Sequence, residues 1–177
     1  MSATLDLRLA DVYAKLGTFI QNVIGVDPST GQTVAVIQGQ ANRVSMPDSP
    51  FILMQGMITG RLGTNIDTWD PVNQTQATQQ KTRVKMQLDC YGPDSNAWAT
   101  ILSTLLRDVY GCDQLKPTCQ PLYTDPPFQG ALIDGEEQYE ERWTVMAYVQ
   151  YNPVTTFAQQ SATAVQVSVI NVDERYK

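Results

Sequence analysis

Apolar residues recur at helical spacing from Leu5 to Ile24, where Leu5, Leu9, Val12, Tyr13, Leu16, Ile20, Val23 and Ile24 form one stripe. Thr4 is placed to cap this helix, Asp6 favours its first turn, and Gly25 is placed to end it. Asp27 to Gly31 (DPSTG) is a turn by composition, and the β-branched run Thr33 to Ile37 predicts a short strand. Gln38 to Pro50 is polar, contains Pro47 and Pro50, and reads as a connector. Phe51 to Leu62 is strand-like, with glycines that mark bulges or close backbone approach. From Thr82 to Tyr91 the alternation is clean. Val84, Met86, Leu88 and Cys90 face one way, and Arg83, Lys85, Gln87 and Asp89 the other. The stretch between these two strands, residues 63–81, has only Ile66, Trp69, Val72 and Ala77 as apolar members. With so little to bury, it predicts a long, flexible hairpin tip.

A second helix opens at Pro93 and Asp94, with Asp94 or Ser95 as its cap. Trp98, Ile101, Leu102, Leu105, Leu106 and Val109 form its buried stripe, and Gly111 is the expected stop. Residues 112–135 are Pro-rich and predict irregular chain. Tyr139 to Tyr151 reads as a long strand with Trp143, Val145, Ala147 and Val149 on one face, and Ala164 to Val172 as a final strand before the charged tail of residues 173–177. Neither an internal repeat nor a domain linker stands out. The pattern predicts a single α+β domain: a mainly antiparallel sheet with two main helices on one face and one long hairpin loop. Trp98 and Trp143 belong to its core.

Composition narrows the function. The chain has no histidine. This removes Ser-His-Asp and Cys-His nucleophile pairs and the commonest transition-metal ligand, leaving only carboxylate- or lysine-based chemistry. There is no Gly-rich phosphate loop. Neither an enzyme nor a cofactor or metal site is expected. A net charge of −6 argues against sequence-reading nucleic-acid binding, which needs basic groups to displace counterions. An acidic surface does suit a channel that DNA slides through without sticking. No apolar run reaches the ~18 residues of a membrane span, and no signal peptide is apparent. Cys90, Cys112 and Cys119 are an odd number at spacings that suggest no disulfide framework, which fits synthesis in a reducing cytoplasm.

Three strings carry a family resemblance: LDCYGPDSNAWATILSTLLRD from Leu88 to Asp108, DGEEQYEERWTVMAYVQYNP from Asp134 to Pro153, and INVDERY from Ile170 to Tyr176. Their order resembles the neck or tail-terminator proteins of long-tailed bacteriophages. The resemblance covers most of the chain from about Phe51 onwards, together with the first helix. It implies a virion protein, assembled in the host cytoplasm, that forms a hexameric ring on the last ring of the tail tube. Such a ring stops tube polymerisation and offers a surface to the head-completion or connector proteins; in contractile tails it also meets the last sheath ring. The resemblance carries no catalytic residues.

Three segments are candidate contacts for such a ring. Trp69, in the hairpin tip, either anchors in a neighbouring subunit or folds back onto its own domain. The acidic cluster Asp134, Glu136, Glu137, Glu140 and Glu141 either lines a lumen or meets a basic neighbour, or is a solvated loop neutralised by Arg83, Lys85 or Arg142. The tail residues Asp173, Glu174, Arg175 and Tyr176 either dock on a partner by pairing with its sheet edge or fray as a free terminus. Two other readings compete with the terminator. One is a connector adaptor on the portal. The other is a carbohydrate- or ligand-binding module using Tyr123, Tyr148 and Tyr151.

Overall fold

The computed structural model describes residues 2–39, 47–130, 132–133 and 139–159, with only the backbone at 132–133 and 139–140. In chain order the elements are β1 (Thr4–Leu5), α1 (Leu9–Ile24), β2 (Ala35–Gln38), β3 (Phe51–Arg61), β4 (Ile66–Asp70), β5 (Thr75–Gln79) and β6 (Thr82–Tyr91). They continue with α2 (Ser95–Leu105), α3 (Val109–Leu115), β7 (Gln120–Thr124), β8 (Phe128–Gln129), β9 (Leu132–Ile133), β10 (Tyr139–Glu140), β11 (Arg142–Tyr151) and β12 (Val154–Ala158). The fold is α+β and mainly antiparallel, as the hydrophobic pattern predicts.

The main sheet has the order β2-β3-β6-β11-β7, with β8 also paired to β11; only β2 and β3 run parallel. The helices cover one face. α2 lies on β6 and β11, α1 on β2, and α3 on β7. Alternation in β6 turns Val84, Met86, Leu88 and Cys90 towards them, opposite Val145, Ala147 and Val149 of β11. Val12, Leu16 and Ile20 of α1, with Trp98 and Leu102 of α2 and Leu106 just after it, complete this core. Each such fully buried side chain contributes on the order of 2 kcal/mol. Trp98 is buried and Trp143 packs against the same cluster.

Several boundaries differ from the sequence reading. α1 begins at Leu9 rather than Leu5, because Thr4 and Leu5 form a strand that pairs with Thr156 and Thr155. The helix start is closed instead by Asp11, whose carboxylate accepts from the Arg8 N–H at 2.7 Å. Gly25 ends α1 with φ +60°. Gly111 does not stop a helix. α2 ends at Leu105, and Asp108 starts α3 by accepting from the Tyr110 N–H at 2.8 Å, so Gly111 lies inside α3. A Cβ at Gly111 would stand 2.3 Å from the Leu105 carbonyl oxygen. Its absence lets α3 fold tightly against the end of α2. The supposedly irregular stretch 112–135 thus contains the second half of α3 together with β7, β8 and β9. The expected strand at 164–172 lies outside the described residues.

The second sheet is the largest departure. Residues 63–81 do not form a plain tip. They fold into the hairpin β4–β5, which joins β12 and β1 in a four-stranded sheet of order β1-β12-β5-β4. β5 runs into β6 and β11 into β12, so one antiparallel ribbon serves both sheets. The ribbon is interrupted at Gln80–Lys81 and Asn152–Pro153, where Pro153 has no N–H to give to a ladder. One bond across the gap, from the Gln80 N–H to the Pro153 carbonyl at 3.0 Å, ties the two parts together.

Candidate assembly surface

Among the described residues no helix-lined core lies behind the second sheet. Every residue of β1, β4, β5 and β12 is exposed or half-buried; none is buried. Cross-strand register sorts them onto two faces. One face carries the row Trp69, Gln76, Phe157 and the row Asp67, Thr78, Thr155, Leu5. The other carries Ile66, Gln79 and Val154, then Thr68, Ala77, Thr156 and Thr4. The polar members explain how the hairpin forms with so little to bury. Its ladder satisfies the backbone, and Thr78 donates to Asp67 at 2.6 Å across the strands. Asp70 shapes the turn. Its carboxylate accepts from the Asn73 side-chain amide at 2.6 Å and from the Val72 and Asn73 N–H groups at 2.9 and 3.3 Å. These bonds, that of the Asn73 amide foremost, hold its carboxyl below the usual range, so the turn keeps its negative charge.

Trp69 therefore stands on an open sheet face. It is 38% exposed, with Phe157 at 36% and Leu5 at 45% on the same face, and it takes no part in the core cluster. β4 is the edge strand, and its outer side has no strand partner among the described residues. Composition alone could not find this surface. Its only sequence signal is the weak alternation Ile66, Thr68, Asp70 against Asp67, Trp69.

The face of the main sheet turned away from the helices holds a second arrangement. Asp89 is buried there; it accepts from Thr144 at 2.6 Å and from the Gln87 amide at 2.7 Å, and pairs with Arg142 at 2.9 Å. Arg142 also lies over the Tyr91 ring, which stacks on Phe51 with centroids 4.4 Å apart. Beside this network, Tyr123 and Tyr148 stack at 4.2 Å, and Arg83 and Lys85 each sit 5.5 Å from the Tyr148 ring centre. Among the described residues neither Arg83 nor Lys85 has an ion-pair partner. The nearby carboxylate of Asp125 accepts instead from the Tyr148 hydroxyl at 3.2 Å.

Of the acidic cluster, Asp134, Glu136 and Glu137 lie outside the described residues, as do Asp173, Glu174, Arg175 and Tyr176 of the tail. The backbone of Glu140 pairs with Leu132 in the short β9–β10 ladder. Glu141 is exposed and accepts from the Trp143 indole N–H at 3.0 Å. Arg142, one of the cations expected to neutralise that cluster, is committed to Asp89. The three tyrosines considered for a ligand site do not converge. Tyr148 is on the open face with Tyr123, whereas Tyr151 packs against the core and lines a cleft of about 400 Å³ with Asp6, Gln79, Lys116 and Asn152.

Among the described residues no helix is long and apolar enough to cross a membrane. No curated protein matches the chain. The family model described as phage neck terminator protein matches residues 10–174, which takes in both sheets and all three helices apart from β1 and the first residue of α1. With nearly its whole length inside that match, the chain belongs to the phage neck terminator protein family and is a structural component of a phage neck.

Proposed function

We propose that this protein is the tail terminator itself: a non-enzymatic subunit that closes into a hexameric ring on the end of the tail tube. The ring stops the tube from growing and presents its far face to the head-completion or connector protein, and to the sheath where there is one. The observation that carries this reading is the second sheet, an ordered platform without a buried residue, in a chain of the neck terminator family. A sheet with no fully buried residue in its own subunit gains little from standing alone. It acquires a reason when another subunit covers it.

The mechanism needs no reactive group. A head-to-tail interface generates a closed ring when its rotation closes, and a ring with unlike top and bottom faces ends a filament instead of extending it. The net charge of −6 disfavours gripping DNA, so the genome passes without specific binding.

The test is cryo-electron microscopy of particles carrying this chain, with the symmetry of the neck determined. A six-fold ring of this chain between the last tube ring and the connector is the expected result. A twelve-fold ring on the portal would replace the terminator by an adaptor.

A further inference from the structure

We infer that neighbouring copies in the ring meet through two unlike surfaces of this chain. The Trp69 face of the second sheet of one copy docks on the Arg83–Lys85–Tyr148 ridge of the next. This inference rests on the ring reading and names its interface.

The two surfaces are chemically matched. From Leu62 to Gln80 the hairpin carries two carboxylates, Asp67 and Asp70, and no lysine or arginine. Asp67 shares its face with Trp69, and Asp70 keeps its charge at the turn beyond. The ridge presents two cations that lack an ion pair among the described residues, held over a stacked tyrosine pair. An exposed indole with one carboxylate, Asp67, on its own face and a second, Asp70, at the adjoining turn suits such a ridge. The indole stacks on the guanidinium or on Tyr123, which is itself 40% exposed, while Asp67 pairs with the cations and Asp70 adds negative charge nearby. The occupant is a second copy because each chain carries both halves once. Donor and acceptor surfaces that differ within one chain make a heterologous contact, the kind that closes rings. The Trp69 face is joined through β5 and β12 to the strands β6 and β11 that carry the ridge, so each subunit presents both surfaces on one connected set of strands.

The experiment is complementation of a phage lacking this gene with full-length variants. One variant alters the donor, Asp67→Lys with Asp70→Asn; the asparagine keeps an acceptor for the turn. Another alters the acceptor, Lys85→Glu with Arg83→Gln. A third combines all four changes, and circular dichroism with thermal melting verifies that each variant folds. Each half alone is expected to lower the yield of infectious particles by roughly tenfold or more, and the combination to recover most of it, since the exchanged charges again face opposite signs. Normal yield from both halves, or failure of the folded combination to recover, would overturn the interface. Either result leaves the ring itself standing, because its symmetry is read separately from unaltered particles. Absence of a ring of this chain in those particles would remove both.

Discussion

At the scale of single residues, the most constrained position is Gly111. A methyl group there would press on the Leu105 carbonyl, a backbone atom that no side-chain rotation can move aside. Gly111→Ala is expected to cost about 2–3 kcal/mol in urea unfolding, the range of overpacked sites. An unchanged midpoint would mean that α3 shifts without penalty. Periodicity predicted a glycine stop here. What it could not supply is the cap of Asp108, which starts a new helix two residues before that glycine. The cysteines give a second test. Burial pushes the Cys90 thiol up to about 12, with the Asp89 charge adding to it, and burial pushes Cys119 up to about 11. A raised thiol pKa leaves the neutral, unreactive form in place well above neutrality, so at about pH 8 both should resist alkylation in the native protein. Cys112, only half-buried, should be labelled first, and mass spectrometry of the labelled peptides reads the order. Rapid labelling of Cys90 in native protein would contradict the sheet core as described.

Among elements, legibility followed burial. The stripe of α1 and the alternation of β6 and β11 could be read from the chain because water is excluded on one side only, which writes a period into the sequence. The hairpin β4–β5 has no fully buried residue and so leaves no clear period. Its Thr and Gln residues are compatible with a strand but equally with loop, and its strand character comes from pairing with β12, far away in sequence. Trp69 stands out in the sequence as one of the few apolar residues between 63 and 81, whereas its alignment with Gln76 and Phe157 comes only from the register. The Asp89–Arg142 pair was likewise invisible, since alternation reported only that Asp89 faces away from the helices. The two sheets should also differ in dynamics. In the isolated subunit, the backbone amides of β4 and β5 are expected to exchange with deuterium roughly a hundredfold or more faster than those of β6 and β11, which lie in the core. Assembly should slow the hairpin selectively. Equal protection in the free subunit would mean that the second sheet opens only with the whole domain.

For the whole molecule, the pairing of Thr4 with Thr156 has a consequence in time. β12 gains its second neighbour only by a contact spanning nearly the full described chain, and β5 meets β12 across about half that separation, Gln79 to Val154. On the ribosome, the hairpin β4–β5 can close early from local contacts, but β12 emerges long afterwards. Until then the platform is half-made, with β5 offering an open edge. The stretch that completes the platform therefore emerges well after the hairpin it pairs with, so a polypeptide that stops before β12 lacks the finished sheet. On the docking proposed above, the order of synthesis keeps unfinished subunits off the growing particle.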